Sequence, residues 1–311
     1  MRVVFFGTPE FAVPPLEALL GEGFDVVAVI TRPDKPQGRS RSTAVPSPVK
    51  LAAEAEGIPV LQPARPSDAD FVARIRALAP DVGVVVAYGH ILKPDLLALP
   101  RRGMINMHPS LLPELRGAAP VEWAILNGLA KTGVTIMLMD AGLDSGPILH
   151  QIPHHIDPEV TGGELSEHLS EMGAQALVEA LALLETDGLK PRPQDHARAT
   201  YAPKLTREIA RIPWAESAER VTRLIRALDP KPGAWTELEG REVKLFAARV
   251  EERQGEGEPG AIRTTDDGLL ITAGSGAVRV EEVQPAGKPR MTAPDWVRGR
   301  GVRPGGGQRF T

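Results

Sequence analysis

The chain has 311 residues, 42% hydrophobic and 24% charged, an ordinary globular composition with enough length for two domains and a large core. It contains no Cys, which excludes disulfides, zinc–thiolate sites and a cysteine nucleophile, and no apolar run of about 18 residues that would cross a bilayer as a helix. A net charge of −4 excludes an overall polycation, although local basic segments remain open.

Arg2-Val3-Val4-Phe5-Phe6 reads as a buried strand, which Gly7-Thr8-Pro9-Glu10 turns into a helix over 11–21. A second strand over 24–31 follows, and the right-handed crossover of such a unit predicts a parallel sheet. The turn lacks G-x-G-x-x-G, so no dinucleotide site is inferred. Residues 31–42 hold two prolines, a glycine and no apolar side chain, which predicts a long mobile surface loop. Its Arg and Lys side chains suit phosphate contact. Helices over 48–56 and 68–78 follow, with a short strand over 59–61 between them. A central strand over 81–87 ends at Tyr88-Gly89-His90, and another spans 105–108. A helix over 121–129, strands over 133–139 and 150–156 and a long amphipathic helix over 163–185 complete an α/β domain of residues 1–188. Ligands in open α/β sheets sit beyond the carboxyl ends of the strands, where the loops at Gly7, 87–91, 106–113 and 140–146 are expected to meet.

Residues 189–205 are polar, proline-containing and aperiodic, and read as a linker over the surface. In residues 206–311, a helix over 217–228 precedes five short strands, over 234–239, 241–250, 261–265, 268–273 and 276–283, divided by Gly or Asp turns. That spacing predicts a small β-barrel, with a glycine-rich, loosely held tail from 304. Two segments are locally basic: residues 32–50 carry five basic side chains and one acid, and 288–309 carry six and one.

The chemistry concentrates between 104 and 147. Asn106 and His108 are two apart, so on an extended strand they project to one side. Asp144 lies in the glycine-punctuated run Asp140-Ala141-Gly142-Leu143-Asp144-Ser145-Gly146. Asn donates to a developing oxyanion, His titrates near neutrality, and a carboxylate orients an imidazole or takes a proton. The chain holds only two Asn, at 106 and 127, which sets Asn106 apart. An Asn-x-His also serves turns, and an Asp in a Gly-rich loop also serves as a cap, so spacing alone yields a candidate acid/base site.

Asn106-Met107-His108-Pro109-Ser110-Leu111-Leu112-Pro113 with Asp144 resembles the signature of folate-dependent formyltransferases. The likeness extends along the chain. It takes in Val3-Val4-Phe5-Phe6-Gly7-Thr8-Pro9-Glu10, the 32–41 loop, Pro46-Ser47-Pro48-Val49-Lys50, Val85-Val86-Ala87-Tyr88-Gly89 and Arg116-Gly117-Ala118-Ala119-Pro120. Gly133-Val134-Thr135-Ile136-Met137 and Gln284-Pro285-Ala286-Gly287-Lys288 belong to it as well. Within that family these stretches resemble the members that formylate methionine carried on initiator tRNA. The resemblance implies a Rossmann-like parallel-sheet domain of formyltransferase type followed by an OB-like β-barrel that binds tRNA. It also implies catalysis by Asn106, His108 and Asp144, and a 10-formyltetrahydrofolate site lined by Ser110, Leu111, Leu112 and Pro113. The acceptor end of tRNA would be met by Arg39, Arg41 and Lys35. The implied partners are initiator methionyl-tRNA and folate, with no metal, no membrane, a monomeric state and a cytoplasmic address. Glu114-Leu115 departs from many relatives, which carry a basic and an aromatic residue there. Sugar-nucleotide formyltransfer and hydrolysis of formyl-folate are the rival activities, and the long basic 32–41 loop favours tRNA over a small sugar.

Overall fold

The computed structural model describes every residue except 38–42, 252–254, 300 and 303–306. Two compact units divide it: residues 1–120, 131–155 and 166–202 form the first, and 121–130, 156–165 and 203–311 the second.

The first unit is built on a seven-stranded sheet in the order β10-β9-β7-β6-β1-β2-β5. In chain order the elements are β1 (Arg2–Gly7), α1 (Val13–Gly21), β2 (Asp25–Ile30), β3 (Lys35–Gln37), β4 (Thr43–Val45), α2 (Pro48–Ala55), β5 (Val60–Leu61), α3 (Ala69–Ala77) and β6 (Val82–Val86). They continue with α4 (Pro94–Leu97), β7 (Met104–His108), β8 (Arg116–Gly117), α5 (Pro120–Leu126, assigned almost wholly to the second unit), β9 (Lys131–Leu138), β10 (Ile148–His155), α6 (Gly162–Glu185) and β11 (Tyr201–Ala202). β1 and β6 read as unbroken apolar runs because both faces are covered: Val3 to Phe6 and Val82, Val84 and Val86 are wholly buried. Phe6, Ile30, Phe71, Ile75, Tyr88 and Leu96 pack into one core.

Five strands, β5, β2, β1, β6 and β7, are parallel, as expected. The other two correct the expectation of a wholly parallel sheet. β9 runs antiparallel to β7, with Ile105 opposite Leu138 and His108 opposite Thr135, and β10 runs antiparallel to β9. A direct loop joins β9 to β10, and antiparallel neighbours need no crossover helix. The 31–42 stretch also differs from a plain loop. β3 and β4 pair as an antiparallel ribbon, with Lys35 opposite Val45, and its tip at 38–42 lies outside the described residues.

His154 on β10 and His168 on α6 stand 4.4 Å apart, ring to ring. Burial, then the nearby His168 and His155, holds the His154 imidazole below its usual range. The folded chain therefore takes up that proton at lower pH than the unfolded chain. The associated stability is present above about pH 6.5 and declines as pH falls below it. His154→Gln is expected to flatten the decline. Thermal unfolding of both proteins from about pH 7.5 to about pH 5 checks this, and equal slopes would count against it.

The second unit carries α7 (Ala218–Ala227), β12 (Ala234–Leu238), β13 (Arg241–Glu251), β14 (Ile262–Thr265), β15 (Gly268–Thr272), β16 (Ala277–Pro285), β17 (Met291–Thr292) and α8 (Ala293–Arg298). Ser217 caps α7 by accepting from the Arg220 amide at 3.3 Å. The antiparallel sheet runs β12-β13-β16-β15-β14, with β17 added on β16. Residues 308–311 are not loosely held, contrary to the sequence expectation. Leu238 bridges Phe310 and Ala261 bridges Arg309, so this segment touches both ends of the strand order. Phe310 is 1% exposed and stacks on Trp214 and Trp296, with centroids at 5.7 and 6.4 Å, which compensates for its glycine-rich approach. Among the described residues no helix is long and apolar enough to cross a membrane.

Candidate active site

β7 places the first two chemical groups. Strand alternation sends Met107 to the α6 face, where a Cβ at Gly173 would come within 2.6 Å of its sulfur. Gly173 thus lets α6 close on the strand, and Asn106 and His108 project from the opposite face. The half-buried Asn106 side chain makes no hydrogen bond among the described residues. His108 is 4% exposed. Its Nε2 lies 2.9 Å from the Leu115 carbonyl, which can only accept, so Nε2 carries the hydrogen. Nδ1 is the ring nitrogen that remains, and it faces Asp144 Oδ2 at 3.9 Å, beyond direct hydrogen-bonding reach.

Asp144 does not arrive from a parallel strand, as the expected meeting of loops would require. The end of β9 pairs with the start of β7, and the Met139 amide donates to the Met104 carbonyl at 2.8 Å. Asp144 reaches His108 through the loop between β9 and β10. Its Oδ2 accepts from the Gly117 amide at 2.8 Å. Gly117 is required there: its φ is +122° and a Cβ would lie 2.7 Å from the Ala202 carbonyl oxygen.

Both contacts of His108 come from residues in the left-handed region, Leu115 at φ 58° and Asp144 at φ 47°. Each such conformation costs on the order of 1 kcal/mol and persists only where its surroundings fix it. Residues 194–202 fix both. The Leu115 amide donates to Thr200 Oγ1 at 2.8 Å, and the Arg116 and Ala118 amides donate to the Thr200 and Ala202 carbonyls, each at 2.9 Å. Arg116, buried, donates through Nε and Nη2 to Gln194 Oε1 at 3.2 and 2.6 Å, and through Nη2 to His196 Nδ1 at 3.1 Å. Gln194 Nε2 donates to the carbonyls of Asp144 and Gly146 at 2.9 and 2.7 Å. At Leu115 the main-chain carbonyl makes the contact to His108, so the departure at 114–115 leaves it intact.

The Ser110–Pro113 segment is held from below by Thr135. The Thr135 hydroxyl donates to the Ser110 carbonyl at 2.6 Å and accepts from the Leu112 amide at 3.1 Å, and Gln151 Nε2 donates to it at 2.9 Å. Ser110 Oγ donates to the Glu114 carbonyl at 2.6 Å. Ser110, Leu112 and Pro113 are buried, and Leu111 is half-buried. At the end of β6, Ala87 (φ 47°) and Gly89 (φ 80°) turn the main chain, and Ile91 is 91% exposed. Burial pushes the Tyr88 phenol up to about 12. Burial, helped by Arg32 and Lys35, holds His90 below the usual imidazole range.

Of the three basic residues singled out for tRNA, Lys35 is exposed on β3, while Arg39 and Arg41 lie outside the described residues. The root of that ribbon is clamped. Lys50 Nζ donates to Asp34 Oδ2 at 2.6 Å, and Gln62 Nε2 donates to Asp34 Oδ1 at 2.7 Å and to the Arg32 carbonyl at 2.9 Å. Hydrogen bonds from Lys50 and Gln62 hold the Asp34 carboxyl below its usual range. No group of three or more His, Asp or Glu among the described residues could hold a metal ion.

Sequence reading missed Arg116, Thr135, Gln194 and Thr200. A lone Thr in the apolar strand Gly133–Met137 was the one available signal. Nothing in the polar run around Gln194 marks it as buried.

The chain matches the family described as formyl transferase over residues 1–181, and formyl transferase, C-terminal domain, over 204–301. Methionyl-tRNA formyltransferase of Roseiflexus sp. (strain RS-1) is 49% identical over 312 residues, covering 100% of this chain and 95% of that protein. Its namesake in Bacillus velezensis (strain DSM 23117 / BGSC 10A6 / LMG 26770 / FZB42) is 44% identical, covering 98% and 96%. Among solved structures, HypX from Aquifex aeolicus in complex with tetrahydrofolic acid superposes with a TM-score of 0.70 at 20% identity. That match covers 96% of this chain and 47% of HypX, so the chain spans about half the HypX length. WlaRD, a sugar 3N-formyl transferase, gives 0.69 at 18% identity, covering 93% and 99%; both likenesses speak for the fold alone. With both domains matched and curated relatives of one name aligned end to end at nearly half identity, the chain belongs to the methionyl-tRNA formyltransferase family.

Proposed function

We propose that the chain transfers the formyl group of 10-formyltetrahydrofolate to the α-amino group of methionine on initiator tRNA, for translation initiation in the cytoplasm. The observation that carries the reading is the Asn106 side-chain amide, unpartnered among the described residues, on the same strand face as a buried His108 whose Nδ1 faces Asp144.

The folate supplies the formyl group, and the residues supply the rest. Asn106 donates to the formyl oxygen as it becomes anionic, a charge absent in the ground state, so the donation favours the transition state selectively. His108 is fixed through Nε2 and presents Nδ1 toward Asp144. Protonated there, it adds positive charge beside the oxyanion. Asp144 accepts the proton that the amine nitrogen sheds on bonding to the formyl carbon, directly or through water. It returns that proton to the folate nitrogen as the old carbon–nitrogen bond breaks. Ser110, Leu111, Leu112 and Pro113 line the folate site. Main-chain groups at 87–91 and 140–144 read the pteridine ring, a role suited to their positive-φ turns.

Residues 1–188 act as the catalytic domain, 189–205 as the linker, and 206–311 as an OB-like barrel that holds tRNA in a monomeric enzyme. The bridging of Leu238 and Ala261 by residues 309–310 supports barrel closure. The guanidinium groups of Arg207 and Arg211, 4.3 and 5.2 Å from the buried Trp235 ring, support a basic docking face. Arg39, Arg41 and Lys35 meet the acceptor end.

Formyl transfer measured with initiator and elongator methionyl-tRNA side by side tests the reading; the initiator alone is expected to be formylated. Arg39→Ala is expected to raise KM for tRNA about tenfold while leaving folate affinity unchanged. Folate turnover without transfer to either tRNA would redirect the assignment to a sugar-nucleotide formyltransferase or a formyl-folate hydrolase.

A further inference from the structure

We propose that Gln194 is a positioning residue of the transfer reaction, holding Asp144 in the backbone conformation that aims its carboxylate at His108. The proposal rests on the catalytic role given to Asp144 above.

Burial is the first observation. Every residue from Lys190 to Arg198 is exposed except Gln194, which is 6% exposed. An amide withdrawn from water this fully needs all its hydrogen-bonding capacity met, and here it is. The two Nε2 hydrogens go to the Asp144 and Gly146 carbonyls, and Oε1 receives both Nε and Nη2 of the buried Arg116.

The placement of those bonds is the second observation. A linker needing only a tether could bond anywhere along its path. Gln194 instead spans the residue whose φ is 47° and the glycine two positions on. A Cβ at Gly146 would collide with the Leu138 carbonyl, so the loop is pressed against β9 on that side and drawn to Gln194 on the other. Arg116, which orients Gln194 through Oε1, adjoins Gly117, whose amide holds Asp144 Oδ2. Main chain and carboxylate of Asp144 are therefore gripped by one connected unit, Arg116-Gly117 and Gln194. Loosening it would let the left-handed residue relax and swing the carboxylate away from Nδ1.

Gln194→Leu removes the amide at similar size. Gln194→Glu keeps the volume and the Arg116 partner but replaces the two donated hydrogens with an oxygen facing two carbonyls. Each variant is expected to lower kcat about 10- to 10²-fold, as small misplacements of a catalytic group do, with KM for folate and tRNA within about threefold. A double-mutant cycle separates positioning from general loosening. If Gln194 acts through Asp144, adding Gln194→Glu to Asp144→Asn costs nothing further. Additive losses, a change confined to KM, or full activity in Gln194→Glu would overturn the proposal. Should Gln194→Leu fail to fold, the Glu variant and its cycle decide alone. An Asp144→Asn enzyme with wild-type kcat would instead remove the catalytic reading of Asp144, a different failure from that of Gln194.

Discussion

Asp144→Asn is expected to lower kcat for formyl transfer about 10³-fold and to leave KM for both substrates within about threefold. The amide has the size of the carboxylate and still offers an oxygen to the Gly117 amide, so the loop stays anchored. Proton acceptance is lost. An amide cannot take the hydrogen that the amine sheds, and a bound solvent chain must replace it. The ion that opposes a protonated His108 is lost as well. Its Nε2 is committed to the Leu115 carbonyl, so the added proton must sit on Nδ1, facing Asp144. Single-turnover transfer on methionyl initiator tRNA, alongside folate binding by fluorescence, reads both effects. A variant within fivefold of the parent kcat would show that Asp144 is no base in the reaction.

Asn106→Ala is expected to cost roughly 10²- to 10³-fold in kcat, the usual effect of deleting one oxyanion donor. The side chain makes no hydrogen bond among the described residues, so its removal strands no internal partner, and the fold should tolerate the change. That separates it from Ser110 or Thr135, whose hydroxyls hold neighbouring backbone and whose loss would mix stability with catalysis. The informative ratio is kcat loss to change in thermal midpoint. A large fall in midpoint with unchanged kcat would assign Asn106 to structure.

Much of this was legible in the sequence because local physics left little choice. The buried runs at Val3–Phe6 and 82–86 could be little other than central strands, and Asn106 and His108 had to share a face once 104–108 was extended. The direction of β9 was not legible. Gly133–Met137 looks the same whether it runs with or against β7, since both pairings bury the same side chains. Gln194 was hidden for another reason: its Nε2 donates to main-chain carbonyls 48 and 50 residues away, and a carbonyl carries no sequence signal. The segment at 308–311 misled because glycine content speaks of the unfolded chain's freedom. What fixes that segment is a Phe that finds two tryptophans, together with main-chain bonds to its neighbours.

That segment also bears on how the molecule behaves in a crowd. An antiparallel sheet that stops at β12 and β14 would offer two rows of unsatisfied amides and carbonyls, the template on which chains add to one another. The outer side of β12 is instead taken along its length. Ile212 and Trp235 share a main-chain bond at 2.8 Å, and Glu237 and Thr311 exchange two, at 3.1 and 3.0 Å. At the other margin the Ile262 amide reaches the Gln308 carbonyl at 3.0 Å, and the Phe310 amide reaches Gly260 at 2.9 Å. Four residues thus cover parts of two sticky borders at once, which removes part of the template for chain-to-chain pairing there.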